Sequence, residues 1–263
     1  LKRFVIDQEL KLEGLEFLTN FTGYTYDNLP RNFQRRIQET QLTVYLVSRG
    51  TPEEVKFTIF RRINTGGKPL SSQEIRHALN QGKATRLLEE LALSPEFLAA
   101  TANGVSDTRM DDRELVLRFL AFTITPYSNY KVQDFDAFLY NSMKIINELS
   151  DAEIDSLKKQ FKRAMRAAKD IFGEDAFRKR YHQNDRRKPI NKSLFESWSV
   201  NLNSLSDEQL DIVLGRKYQV QQKFMELMHN RDFEQAISQG TGDVAKVERR
   251  FGLVKHLIQE VLT

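Results

Sequence analysis

The chain of 263 residues contains no cysteine, six prolines, twelve glycines, one tryptophan and four histidines. Without cysteine there are no disulfides, thiol nucleophiles, iron–sulfur clusters or cysteine-ligated zinc. So little Gly and Pro excludes collagen-like and linker-type chains. No apolar run approaches the roughly 18 residues needed to span a bilayer, and no signal-peptide pattern of basic, apolar and small residues appears. The expected location is cytoplasmic. What the chain has in quantity is charge, with 40 Lys and Arg against 36 Asp and Glu, and 18 Phe among 40% hydrophobic residues. A net charge of +4 permits a polyanionic partner without demanding one. The chain opens Leu1-Lys2-Arg3 with no initiator Met, which raises the expectation of sequence upstream.

Helical periodicity dominates after residue 50. Phe135, Phe138, Leu139, Met143, Ile146 and Leu149 recur at three- and four-residue steps, as do Ile154, Leu157, Phe161, Met165 and Ala168. Ser150 and Glu153 have the spacing of a capping box before the second of these. Val244, Val247, Phe251, Val254, Ile258 and Val261 form a five-turn stripe. Residues 111–125 are apolar on more than one side, which predicts a central, buried helix. Strand signals are confined to Arg3–Asp7 and Gln41–Ser48, too few for a stable sheet. Residues 100–110, 182–190 and 238–243 read as loops.

Thr51 to Leu79 reads as a helix, a polar turn at Asn64-Thr65-Gly66-Gly67-Lys68, and a second helix capped by Ser71 and Glu74. Backbone N–H groups and Lys68 at such a turn suit an anion, with Arg61, Arg62 and Arg76 beside it. A plain connection between two helices explains the same residues. The turn is not a Walker loop, because it follows a helix and lacks that spacing.

Residues 177–189 hold Arg178, Lys179, Arg180, Arg186, Arg187 and Lys188 with Phe177 and Tyr181 interleaved. This is either a phosphate-contacting, base-stacking patch or a solvated loop. His182 and Asn184 resemble half a His-Asn-His nuclease site, but His77, His229 and His256 lack metal-ligand spacing to it. Asp111, Asp112 and Glu114 suit either a divalent ion or a helix start. Arg109, Arg113 and Arg118 need partners if buried: a bound anion, or Glu114 and its neighbours.

Phe60-Arg61-Arg62-Ile63-Asn64-Thr65-Gly66-Gly67-Lys68-Pro69-Leu70-Ser71, followed by Gln73-Glu74-Ile75-Arg76-His77-Ala78-Leu79, resembles the signature segment of the GmrSD-type restriction endonuclease N-terminal domain family, a ParB/sulfiredoxin-like group. Further segments carry the resemblance along the chain: Leu12-Glu13-Gly14-Leu15, Gly23 and Leu29-Pro30; Arg109-Met110-Asp111 ahead of Arg118-Phe119; Ile190-Asn191-Lys192 with Phe195-Glu196; and Gly240-Thr241 through Arg249-Arg250-Phe251.

The resemblance implies a mainly α protein: a remnant of a small α+β domain over residues 1–80, packed on an all-α domain over 81–263. It implies a nucleotide-responsive, DNA-directed protein of bacterial modification-dependent restriction or phage defence, hydrolysing nucleoside triphosphate or supporting DNA cleavage. Catalytic roles fall to Asp7 and Glu74. Nucleotide contacts fall to Asn64, Thr65, Gly66, Gly67, Lys68, Arg62 and Arg76, with a nucleoside triphosphate and a divalent cation as cofactors. The partners it implies are DNA and a nuclease subunit in trans, with a homo-oligomer open and a membrane not expected. A non-enzymatic DNA-binding regulator and a helical interaction scaffold are the competing readings. The family's second hallmark, Asp-Gly-Gln-Gln-Arg after a short strand, is matched by Val5-Ile6-Asp7 and then broken by Gln8-Glu9-Leu10. That break raises the expectation that Asp7 and Gln8 are not adjacent in the native protein.

Overall fold

The structure is a computed structural model. It describes every residue except 45, 47, 49, 52, 64–68 and 132–133, with backbone only at 53, 54, 57, 61 and 63. Two compact units divide the chain, Leu1–Thr51 and Pro52–Thr263.

The first unit contains a π-helical turn over Lys2–Ile6, short 3-10 turns at Thr19–Phe21 and Tyr26–Asn28, and helix α1, Arg31–Glu39. The strand expected over Arg3–Asp7 is therefore absent. Phe4 and Val5 donate instead to the Leu1 carbonyl, and Asp7 to that of Lys2. Among its described residues the segment 41–48 forms no strand either. β-Branched composition alone does not make a strand where no neighbour offers a ladder. A loop closes where Leu12 and Gly23 each donate an N–H toward the other limb, to Tyr24 and Leu12. Phe21 packs edge-on against Phe33 at 4.9 Å, and the Gln34 amide donates to the carbonyls of Tyr26, Asp27 and Leu29. Tyr26 and Leu29 alone are buried among the described residues of this unit.

Among its described residues the second unit is mainly helical. Helix α2, Glu53–Ile63, is followed by α3, Ser72–Leu79, α4, Lys83–Ala92, and α5, Pro95–Thr101. The middle of the unit is α6, Asp111–Ile124, α7, Phe135–Glu148, and α8, Asp151–Phe172. A loop then leads to α9, Lys192–Asn203, α10, Asp207–Gly215, α11, Lys217–Met228, α12, Arg231–Ser238, and α13, Val244–Leu262. Their boundaries are set by side chains. Ser71, Ser150 and Ser206 each close a capping box, with Glu74, Glu153 and Gln209, while Ser94, Asp134, Asn191, Asn230 and Asp243 cap five further helices. Among the described residues the β-type pairing is a single bridge, Arg178 to Ile190.

Helix α6 is the central element that its apolar circumference predicts. Leu115 through Phe122 are buried, and the helix packs on α3, α4, α7, α8 and α9. The expected stripes of α7, α8 and α13 all face the core. A second central helix, α9, does not look like one in sequence. Its Ser197, Ser199 and Asn201 are buried because each satisfies itself locally. Ser199 donates to the Phe195 carbonyl at 2.6 Å, and the Asn201 amide to those of Ser197 and Phe251 at 2.8 and 3.1 Å. Helices α2 and α3, which the sequence division places with the N-terminal domain, belong to this second unit, where α3 packs on α6.

Candidate functional site

Residues Asn64, Thr65, Gly66, Gly67 and Lys68 lie outside the described residues, so the site is built from what flanks them. On the approach, Arg62 is exposed on the last turn of α2. On the exit, Pro69 leads into the α3 cap. Ser71 Oγ accepts from the Glu74 N–H at 3.1 Å and donates to the Arg109 carbonyl at 2.9 Å. The Arg109 guanidinium closes the clamp, donating from Nε to Glu74 Oε2 at 3.0 Å and from Nη2 to the Pro69 carbonyl. Partial burial raises the Glu74 carboxyl pKa, but hydrogen bonds from Ser71 and the Arg109 charge outweigh it and leave a net depression. Met110, next to Arg109, stands in the left-handed region at φ 57°, a conformation costly for a side chain of that size.

Arg76, two residues further along α3, is fully buried. Its Nε donates to Gln73 Oε1 at 2.9 Å and its Nη1 to Asp136 Oδ1 at 2.6 Å, with Glu114 3.7 Å away. Glu114 in turn meets Arg118, at 2.8 Å, and Lys192, at 3.1 Å. Lys192 also reaches Asp111 at 2.7 Å, Arg118 donates to Glu196 Oε2 at 2.9 Å, and Arg250 closes the line on Glu196. The Arg118 guanidinium carbon sits 4.6 Å from the Phe135 ring centre. Four cations and four carboxylates thus form one connected network through α3, α6, α7, α9 and α13. Burial pushes the Glu114 carboxyl up, but the combined charges of Arg118, Lys192 and Arg76 hold it at about 2.

Arg118 is therefore partnered by protein carboxylates, the second of the two readings its position allowed. Asp111, Asp112 and Glu114 form the first turn of α6. A Lys ammonium between Asp111 and Glu114, and an Arg113 N–H on Asp112 at 2.7 Å, hold one oxygen of each of these carboxylates. The cluster does not fit a cation. Among the described residues no group of three or more His, Asp or Glu side chains is arranged to hold one.

Arg76 and Glu74 were expected to serve a nucleotide and a reaction directly. The first is enclosed and fully engaged, and the second caps α3 and anchors Arg109, so each would act on the turn through position rather than contact. Asp7 belongs to the other compact unit, at the end of the π-helical turn, with its carboxylate 3.9 Å from Lys2 Nζ.

The basic loop is also largely spent internally. Arg178 is buried and donates to the carbonyls of Glu174, Lys188 and Thr101 at 3.0, 2.6 and 2.9 Å. Lys179 pairs with Glu234 at 2.9 Å, Arg180 with Asp175, and Arg187 with Glu174 at 3.1 Å. Lys188 lies 4.4 Å above the Tyr181 ring. Arg186 is exposed and makes no pair among the described residues. His182 is nearer another histidine than its sequence spacing suggested, with its ring 5.4 Å from that of His229.

Asp136 escaped the sequence reading, because nothing local marks a carboxylate sixty positions from its partner. Glu196, Lys192 and Arg250 were visible only as residues carrying the family resemblance. No family model, no curated protein and no solved structure matches this chain. Among the described residues no helix is long and apolar enough to cross a membrane.

Proposed function

We propose that the chain is a nucleotide-responsive, DNA-directed module of a bacterial restriction or phage-defence system, with the nucleotide's phosphates bound at the turn 64–68. One observation supports the reading above others. The segments that carry the family resemblance lie far apart in sequence, yet Asp111, Arg118, Lys192, Glu196 and Arg250 are linked through Glu114 to Arg76, and Arg109 pairs with Glu74, on the helix that follows residues 64–68. A buried polar network of this size is demanding to satisfy. Here it holds α3, the helix that follows residues 64–68, and Arg62 is exposed just before them. In this reading the Gly66 and Gly67 backbone approaches phosphate closely, Lys68 and Arg62 neutralise it, and Asn64 orients the ligand. No step is assigned to a divalent cation.

The test is equilibrium binding and hydrolysis of ATP and GTP by the full chain, with and without duplex DNA. Asn64→Ala is expected to abolish binding while leaving the urea midpoint unchanged. Failure of the unmutated chain to bind either nucleotide overturns the reading. A second reading, a helical subunit that works with a partner supplied in trans, is favoured by the first unit. It leaves Phe17 82% and Leu46 90% exposed, and Leu42 and Val44 are exposed in the same segment as Leu46, apolar surface that a partner would cover.

A further inference from the structure

Helix α11 places Tyr218, Gln221, Gln222 and Met225 at three- and four-residue steps, so they share one face. That face borders a cavity of about 370 Å³ whose far side is formed by Phe172 at the end of α8 and by Asp175 and Arg180 beyond it. The volume falls within the range of small-ligand sites.

The chemistry of the walls is specific. Tyr218 is 73% exposed, so its ring contributes little to the core; it stands at the rim with the Lys217 ammonium 5.6 Å from its centre. Phe172 and Phe224 form the apolar floor and are held edge-on against Trp198 at 4.7 and 5.4 Å. The one ion pair in the wall, Asp175 with Arg180, is neutral as a unit, and the second arm of Arg180 donates to the Gln183 carbonyl. The guanidinium is thus already engaged, and the wall offers no excess charge to a phosphate. The Gln221 amide is engaged too, donating to the Ile171 carbonyl at the end of α8. Gln222 is exposed, and its side-chain amide has no partner among the described residues. An aromatic face, an apolar floor, a neutral wall and a free amide together describe a site for an uncharged planar heterocycle. A glutamine amide presents a donor beside an acceptor, the pairing that matches the N6/N7 edge of adenine. A free guanidinium would instead match the O6/N7 edge of guanine.

We infer that this cavity binds an adenine nucleoside, its base stacked on Tyr218 and its polar edge read by Gln222. The inference goes beyond the phosphate site proposed at residues 64–68 and is independent of it, since its residues lie on α8, the segment between α8 and α9, and α11.

The experiment titrates the full chain with adenosine, guanosine and thymidine, following heat by calorimetry and emission from Trp198. That residue is the chain's one tryptophan and packs directly behind the floor. Adenosine is expected to bind saturably and more tightly than guanosine or thymidine. Tyr218→Ala should weaken adenosine by about tenfold or more, in line with the energy of one stacked base. Because Tyr218 is exposed, the urea midpoint should stay unchanged. Gln222→Ala should erase the preference over guanosine, and Asn64→Ala should leave adenosine binding intact. No saturable adenosine binding at millimolar concentration overturns the inference, as does equal binding by Tyr218→Ala. Equal affinity for guanosine or thymidine in the unmutated chain overturns the assignment of the base. Loss of adenosine binding in Asn64→Ala would move the ligand to the turn and refute a separate site.

Discussion

Replacing Glu114 by Gln removes one negative charge from the middle of the buried network while keeping the side chain's shape. Glu114 is 9% exposed and faces Arg118, Lys192 and Arg76. Its carboxyl is held at about 2 against an ordinary 4.5. At about 1.4 kcal/mol per tenfold in proton affinity, that depression corresponds to about 3 kcal/mol of stability at neutral pH. A similar figure follows from mutagenesis, since removing one partner of a buried ion pair typically costs about 3–5 kcal/mol. The direction with pH follows from the depressed value. The contribution is complete above the ordinary carboxyl range and is lost as pH falls through the folded value. The difference in stability between the unmutated chain and Glu114→Gln should therefore be about 3 kcal/mol at neutral pH and shrink steadily between about pH 5 and about pH 2. Urea unfolding followed by Trp198 emission measures it, because Trp198 is buried within the same unit. A difference below about 0.5 kcal/mol at neutral pH, the range of ordinary surface substitutions, would refute the claim that the charges are coupled. So would a difference that does not change over that acid range.

The basic loop gives a paired prediction. Arg178→Ala should destabilise the fold by about 2 kcal/mol or more, because it leaves three carbonyls without their donor, whereas Arg186→Ala should leave the urea midpoint unchanged. If DNA binds here, replacing Arg186 and Lys188 by Gln should lower the log–log salt slope by up to about 0.9 per lost phosphate contact. Replacing Lys179 and Arg187, which already hold Glu234 and Glu174, should change the slope less. Gly82→Ala should cost about 1–3 kcal/mol by thermal denaturation. The glycine sits at φ 150° with Asn147 Oδ1 2.7 Å from where a Cβ would stand, and that oxygen accepts from the Ala84 N–H at the start of α4. Asn201→Ala should cost about 1–3 kcal/mol in the same assay, since it strips a buried donor from the carbonyl of Phe251 as well as that of Ser197.

Helical periodicity and caps were legible wherever apolar residues mark one face. The stripes of α7, α8 and α13, the capping boxes at Ser71 and Ser150, and the central place of α6 all follow from spacing. Helix α9 did not follow, because a core helix built on Ser197, Ser199 and Asn201 reads as polar until its internal hydrogen bonds are known. The strand readings over Arg3–Asp7 and Gln41–Ser48 relied on β-branched composition, a weak guide without a pairing partner. At the site, the four-residue spacing of Glu114 and Arg118 exposed one link of the network. The remaining links join residues 38 to 81 positions apart, and no local pattern encodes them. The basic loop looked available for DNA because its neutralising acids lie outside residues 177–189: Glu174 and Asp175 just before, Glu234 well after.

Those long sequence separations bear on the order in which the molecule assembles. Arg250, on the last helix, is the only cation besides Arg118 that pairs with Glu196 among the described residues. A chain growing from its N-terminus holds α6 and α9 before α13 exists, so Glu196 must stay hydrated or half-compensated until α13 has been made. Closing such distant contacts is slow, and burying the ions before all partners are present is unfavourable. The network therefore belongs to the late side of the folding barrier. Substitutions at Glu196 or Arg250 would then act mainly by accelerating unfolding, so the same ion pairs that form last would set how long the folded unit survives before it opens.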